Sequence, residues 1–124
     1  MHELTIQLAD GRDGYRPHER LRGTAGWQLT GPATAMEVRL CWFVEVQGVP
    51  EVRVVQTVRY DAPLAQEQRS FEFVLPAAPY SYAGALATLS WAIELVAIPE
   101  KEFVRALFKL GPHADVVELF GQLE

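Results

Sequence analysis

The sequence predicts an all-β fold, a two-sheet antiparallel β-sandwich, and three observations carry that prediction. Apolar residues recur at a spacing of two in run after run, the period of strands with one buried face. The runs are short and separated by connections bearing Gly, Pro, Ser and Asp, with no strong amphipathic helix among them, which favours two packed sheets over a parallel α/β sheet. Trp27, Trp42 and Trp91 fall by parity on the inward faces of three different runs. Each such indole buries roughly 150–250 Å², enough to anchor a core.

The first strand reads as Glu3 to Leu8 and ends at the turn-rich string DGRDG. The second runs from Arg20 to Leu29, with Leu21, Gly23, Ala25, Trp27 and Leu29 on one face; Gly23 and Gly26 there permit a bulge or a close neighbour. In MEVRLCWFVEVQ, Val38, Leu40, Trp42, Val44 and Val46 share one face, and Glu37, Arg39, Cys41, Phe43 and Glu45 the other. The next run, Glu51 to Asp61, places Val52, Val54, Val58 and Tyr60 inward, interrupted only by Gln56.

Gly48-Val49-Pro50 between these runs suits a three-residue hairpin loop. With Gln47 facing Glu51, Val46 lies opposite Val52, Val44 opposite Val54 and Glu45 opposite Arg53, joining apolar and opposite-charge pairs. Strands at Ser70–Leu75 and about Ala87–Val96 then direct Phe71, Phe73, Leu75, Leu89, Trp91, Ile93 and Leu95 inward.

The segment PEKEFVRALFKLG reads two ways. Pro99 before an acidic turn, with Phe103, Leu107 and Leu110 behind it, suits a short helix; Val104, Ala106, Phe108 and Leu110 alternate as in a strand. A strand is favoured because the sandwich needs a partner for its edge. The expected organisation is a sandwich domain over 1–112 and a C-terminal tail over 113–124. Val116, Leu119, Phe120 and Leu123 of that tail stand near helical spacing and suit a docked segment.

Two segments carry a family resemblance. YRPHERLRGTAGWQL resembles the early tyrosine-x-proline-glycine-glutamate turn and following strand of the arrestin-like β-sandwich family, itself immunoglobulin-like in architecture. FEFVLPAAPYSYAGALATLSWAIEL resembles that family's strand, Leu-Pro, proline-x-serine-tyrosine-x-glycine connection and next strand. With the hairpin between them the likeness covers most of Tyr15 to Val96. His18 departs from it, standing where glycine is usual, which points to another turn type or to a histidine in the left-handed region. The resemblance implies a non-enzymatic protein-interaction, adaptor or scaffold role, and the chain has room for one such domain.

At 124 residues the chain has the size of one domain. A net charge of −5 argues against a broad phosphate-binding surface, so no nucleic acid is expected as partner. No apolar run reaches the length of about 20 residues that spans a bilayer as a helix. The N-terminal residues lack an apolar secretory core and the lone Cys41 cannot form an internal disulfide, so cytoplasmic residence is expected.

No residue constellation points to a reaction, and no catalytic residue, cofactor or metal site is predicted. Cys41 lies mid-strand, where a thiol is a small packing residue more often than a nucleophile. His2, His18 and His113 sit in three separate segments, each read as exposed, without HxH or HExxH spacing. Asp10, Asp13 and Asp61 fall in loops, as calcium ligands do, but DGRDG alone supplies too few of them. The hydroxyls of Tyr80, Ser81 and Tyr82 are assigned to holding a crossing loop by hydrogen bonds to backbone.

The expected interface is an outward patch of Cys41, Phe43, Val55, Ala92 and Val96, covered by the C-terminal segment, by a protein partner of unknown identity or by a second copy. A sheet edge offers a second route to association. The alternative function is a small-ligand binder or hydrolase with a pocket built from loops carrying His18, Asp61 and Tyr82.

Overall fold

The structure, a computed structural model, describes residues 2–118. Among the described residues ten strands follow in chain order: β1 Glu3–Leu8, β2 Gly14–Tyr15, β3 Arg20–Gln28, β4 Ala35–Val46, β5 Val49–Asp61, β6 Gln66–Val74, β7 Tyr82–Ala83, β8 Ala87–Ile98, β9 Phe103–Leu110 and β10 Val117–Glu118. They form the two sheets of an all-β sandwich. The smaller has the order β1-β3-β6; the larger runs β10-β7-β8-β4-β5, with β9 also paired to β8 and β2 to β9. The long pairings are antiparallel, whereas β2–β9 and β10–β7 are short parallel ladders.

The core lies where the two sheets face each other. Leu21, Ala25 and Trp27 of β3 and Phe71 and Phe73 of β6 meet Val38 and Leu40 of β4 and Trp91, Ile93 and Leu95 of β8. Trp91 and Trp27 are buried as expected, and each indole N–H has an acceptor, the Pro79 carbonyl for Trp91 (2.8 Å) and the Leu64 carbonyl for Trp27 (3.0 Å). Trp42 also packs on the core but is only half-buried, standing between buried Trp91 on β8 and exposed Arg53 on the edge strand β5. Gly23 is required by a close approach: a Cβ there would stand 2.6 Å from Phe71 Cζ and 2.7 Å from the Gln7 carbonyl oxygen.

Phe103–Leu110 is a strand, as the need for an edge partner predicts, and it pairs Phe108 with Trp91 and Val104 with Leu95. The turn before it closes when Lys101 N–H donates to the Ala97 carbonyl (2.7 Å) and Ala97 N–H to that of Glu102 (2.8 Å). In the tail, Val117 and Glu118 extend the larger sheet beside Tyr82 and Ala83; Leu119, Phe120 and Leu123 lie outside the described residues.

One histidine reverses its expected exposure. His2 is buried, receiving the Thr30 N–H on Nδ1 (3.1 Å) while its own backbone N–H donates to Glu102 (3.1 Å). It fills the space between the end of β3 and the β8–β9 turn, a position its sequence neighbours do not reveal.

Candidate interaction surfaces

The hairpin of β4 and β5 departs from the expected register. Its loop has two residues, Gln47 (φ 52°) and Gly48 (φ 83°), and the strands close on Val46 opposite Val49. Two successive positive φ values make the primed turn whose twist matches that of the flanking strands. Consequently Val52 lies opposite Phe43 and Val54 opposite Cys41, rather than opposite Val46 and Val44. A β-bulge then leaves Val55 unmatched between the Cys41–Val54 and Leu40–Gln56 pairs. That extra residue flips the phase of β5. Val58 and Tyr60 therefore face the core opposite Val38 and Met36, while Val52 and Val54 share the outer face with Cys41 and Phe43.

Across the larger sheet the outer face reads in rows. Val54, Cys41, Ala92 and Leu107 form one; Thr57, Arg39, Glu94 and Arg105 the next; Arg59, Glu37, Val96 and Phe103 a third. Of the five residues expected at an interface, Val55 is exposed, Phe43 is half-buried, and Cys41, Ala92 and Val96 are buried. The chain's own long side chains contribute to that cover. The Arg105 guanidinium lies 4.6 Å above the Phe43 ring and 5.4 Å from that of Phe103, and it pairs with Glu94 at 2.6 Å. Glu37 receives Arg39 (2.7 Å) and Arg59 (2.9 Å). Burial alone would raise the Glu37 carboxyl, but the hydrogen bonds from both arginines outweigh it and hold it below the usual range. What stays exposed is Val52, Val54 and Val55 on one side and Phe103 and Leu107 on the other.

Cys41 is a packing residue. Its Sγ donates to the Ala92 carbonyl (3.6 Å), and burial, reinforced by Glu94, pushes the thiol up to about 12. Almost no thiolate is present near neutral pH.

The two segments that carry the family resemblance meet in space. His18 takes the left-handed region (φ 69°) after Pro17, and Glu19 N–H closes the turn on the Arg16 carbonyl (3.2 Å). A histidine therefore occupies the glycine position without changing the positive φ the turn requires. His18 N–H then donates to the Leu75 carbonyl (3.0 Å) and Leu75 N–H to that of Glu19 (2.9 Å), stitching the turn to the Leu-Pro segment. Arg12 bonds Glu19 (3.0 Å) and lies 4.3 Å above the Tyr15 ring. That hydrogen bond, with one from Arg16 N–H, holds the Glu19 carboxyl below its ordinary range. Ser81 holds the crossing loop as expected: its Oγ accepts from Leu110 N–H (2.9 Å) and its own N–H donates to the Leu110 carbonyl (2.7 Å).

The loops proposed for a pocket do not converge. Asp61 pairs with Ala35, which pairs with Ile98, whereas Tyr82 pairs with Leu89. The stretch of β8 from Leu89 to Ile98 separates them, about 30 Å at about 3.3 Å per residue. Asp61 is held by Arg59 (2.8 Å). Tyr82 lines a hollow of about 200 Å³ with Leu107, Phe108, Ser90 and Val116, and neither His18 nor Asp61 reaches it. Among the described residues no three His, Cys, Asp or Glu side chains group as metal ligands, Asp10, Asp13 and Asp61 included. No helix among them is long and apolar enough to cross a membrane.

Sequence reasoning missed the outward turn of Val52 and Val54 and the exposure of Phe103 and Leu107. The adjacent valines Val54 and Val55, which break strict alternation, were the available signal for the first.

The fold has known counterparts. Spo0M, a sporulation control protein from Bacillus subtilis, superposes on 88% of this chain with a TM-score of 0.58 at 17% sequence identity. The match covers 49% of that protein, so the chain spans about half its length. A β-glucosidase from Listeria innocua matches 94% of this chain and 16% of its own at 12% identity and a TM-score of 0.49. The alkylpurine DNA glycosylase AlkC of Pseudomonas fluorescens, bound to DNA, matches 88% and 30% at 14% identity and a TM-score of 0.44. The last two likenesses are too weak to carry an argument. No family model and no curated protein matches the sequence. At these identities the likeness to Spo0M shows the fold alone, an all-β sandwich.

Proposed function

We propose that this chain is a non-enzymatic protein-interaction or scaffold module of arrestin-like type, acting in the cytoplasm. The observation that carries the reading is the exposed hairpin: from Val49 to Thr57 every residue of β5 is exposed, and among the described residues β5 pairs on one side only. A solvent-facing strand edge bearing Val49, Val52, Val54 and Val55 recognises extended backbone by hydrogen bonds and selects side chains through alternate positions. Support for the arrestin-like type comes from the turn at His18 and the Leu75-Pro76 segment, the two resembling motifs, which bond directly to each other. The fold shared with a control protein, Spo0M, fits a regulatory role.

The test is affinity capture from the native cell, using the intact chain alongside a variant with Val52 and Val54 replaced by Lys. A partner recovered by the first and lost by the second supports the module. Repeated failure to recover any partner, together with a monomer by light scattering at high concentration, defeats it. The hydrolase alternative draws on the hollow at Tyr82 alone, since the other two residues named for it lie elsewhere.

A further inference from the structure

We propose that the segment Val49–Val55 is a self-recognition edge, through which two copies of this chain pair antiparallel about a two-fold axis at Val52. The proposal rests on the interaction-module reading and names its partner and its register. In a two-residue hairpin the closing pair, here Val46 and Val49, is the hydrogen-bonded one. Alternation from that pair directs the backbone groups of Val49, Glu51 and Arg53 towards β4. Those of Pro50, Val52 and Val54 point to the free edge. Pro50 thus stands where no N–H is needed within the chain.

Only some self-pairings satisfy these groups. A two-fold at Val52 opposes Val52 to Val52 as a hydrogen-bonded pair, Val54 to Pro50 and Val49 to Val55. Glu51 then falls opposite Arg53 twice, in the closer, non-hydrogen-bonded positions. Each Val54 N–H meets a Pro50 carbonyl. The sequence VPEVRVV is therefore its own antiparallel complement in both charge and polarity. A two-fold at Arg53 or Glu51 would set like charges face to face, and one at Val54 would set Arg53 against Val55 and run into the bulge.

The geometry of the free chain allows the approach. Glu51 and Arg53 have side chains 72% and 66% exposed and make only a 3.9 Å contact with each other, so little is given up on pairing. Val52 and Val54 lie on the outer face beside Phe43 and Cys41. Pairing would join the two outer faces into one apolar stripe across the axis. The missing N–H of Pro50 leaves the Val54 carbonyl without a donor at each end, which keeps the contact weak and reversible, in the micromolar to millimolar range of small interfaces.

Sedimentation of the full chain across that concentration range tests the register. The expected result is a concentration-dependent dimer that Glu51→Arg or Arg53→Glu alone weakens about tenfold or more. The double variant Glu51→Arg/Arg53→Glu restores it, and an equimolar mixture of the two single variants forms a mixed dimer of near wild-type strength. Val52→Pro, which removes a free-edge N–H and no N–H bonded to β4, abolishes dimers with an unchanged melting temperature. A wild-type monomer throughout, a dimer that survives Val52→Pro, or a double variant that fails to recover overturns the proposal. If the wild-type monomer nonetheless captures an unlike protein through this strand, self-pairing falls while the interaction-module reading stands.

Discussion

Truncating Trp91 to alanine tests the central packing argument. Trp91 is fully buried, stacks obliquely on Phe108 with ring centroids 5.9 Å apart, and donates its indole N–H to the Pro79 carbonyl at 2.8 Å. Removing roughly 150–250 Å² of buried surface at about 25 cal/mol per Å² gives about 4–6 kcal/mol as an upper bound. Part of this is regained because alanine keeps some burial and the denatured chain is not fully extended. The orphaned Pro79 carbonyl adds about 1 kcal/mol or more. The expected cost is about 3–5 kcal/mol, a large share of the about 5–15 kcal/mol that holds such a domain together. Urea titration followed by far-UV circular dichroism reads it directly. Two controls sharpen the result. Trp91→Phe keeps most ring contacts and loses the hydrogen bond, so it should cost about 1–2 kcal/mol. Trp42→Ala removes a half-buried indole beside the edge strand β5, and should cost no more than about 2 kcal/mol. If Trp91→Ala melted like the wild type, or Trp42→Ala cost as much as Trp91→Ala, the assignment of faces in β4 and β8 would be wrong.

Three further outcomes follow from the same structure. Cys41, with its thiol pushed up to about 12 by burial, should stay unmodified by a thiol-specific chromogenic reagent at pH 8 and react fully once the chain is unfolded; immediate stoichiometric labelling of the native protein would contradict its placement. Glu19, Glu37, Glu67 and Glu72 are all held below the ordinary carboxylate range by hydrogen bonds that include arginine partners, so their stabilisation is present at neutral pH and lost as pH falls below about 4.3. Melting temperature should fall over that window, and Glu37→Gln should lower stability by about 1 kcal/mol at pH 7 while flattening the acid limb; an equally steep limb would remove Glu37 from the account. Gly23→Ala should cost about 1–3 kcal/mol in a urea titration, because a Cβ there would stand 2.7 Å from the backbone oxygen of Gln7, which cannot move without β1; a neutral result would mean the strands are less closely apposed.

The alternating runs carried most of the architecture in themselves. Burial of Leu21, Ala25 and Trp27, of Phe71 and Phe73, and of Leu89, Trp91, Ile93 and Leu95 follows from period-two patterning, because each strand has one face that must leave water. Local chemistry also announced the demand at Gly23, where a small residue signals close approach; the positive φ at His18 is one of the two outcomes that the family resemblance left open. Two decisions belonged to the tertiary structure. The phase of β5 depends on whether its loop holds two residues or three and on where a bulge absorbs the extra valine, and both answers come from the partner strand β4. The exposure of the outer face likewise depends on neighbours two strands apart. Cys41, Ala92 and Val96 are buried there by a covering in which Arg105 reaches over Phe43, a contact between β9 and β4 that no local pattern encodes. Pairing partners and side-chain cover are properties of chain segments distant in sequence, so periodicity can say which residues share a face of one strand but not what lies across from it.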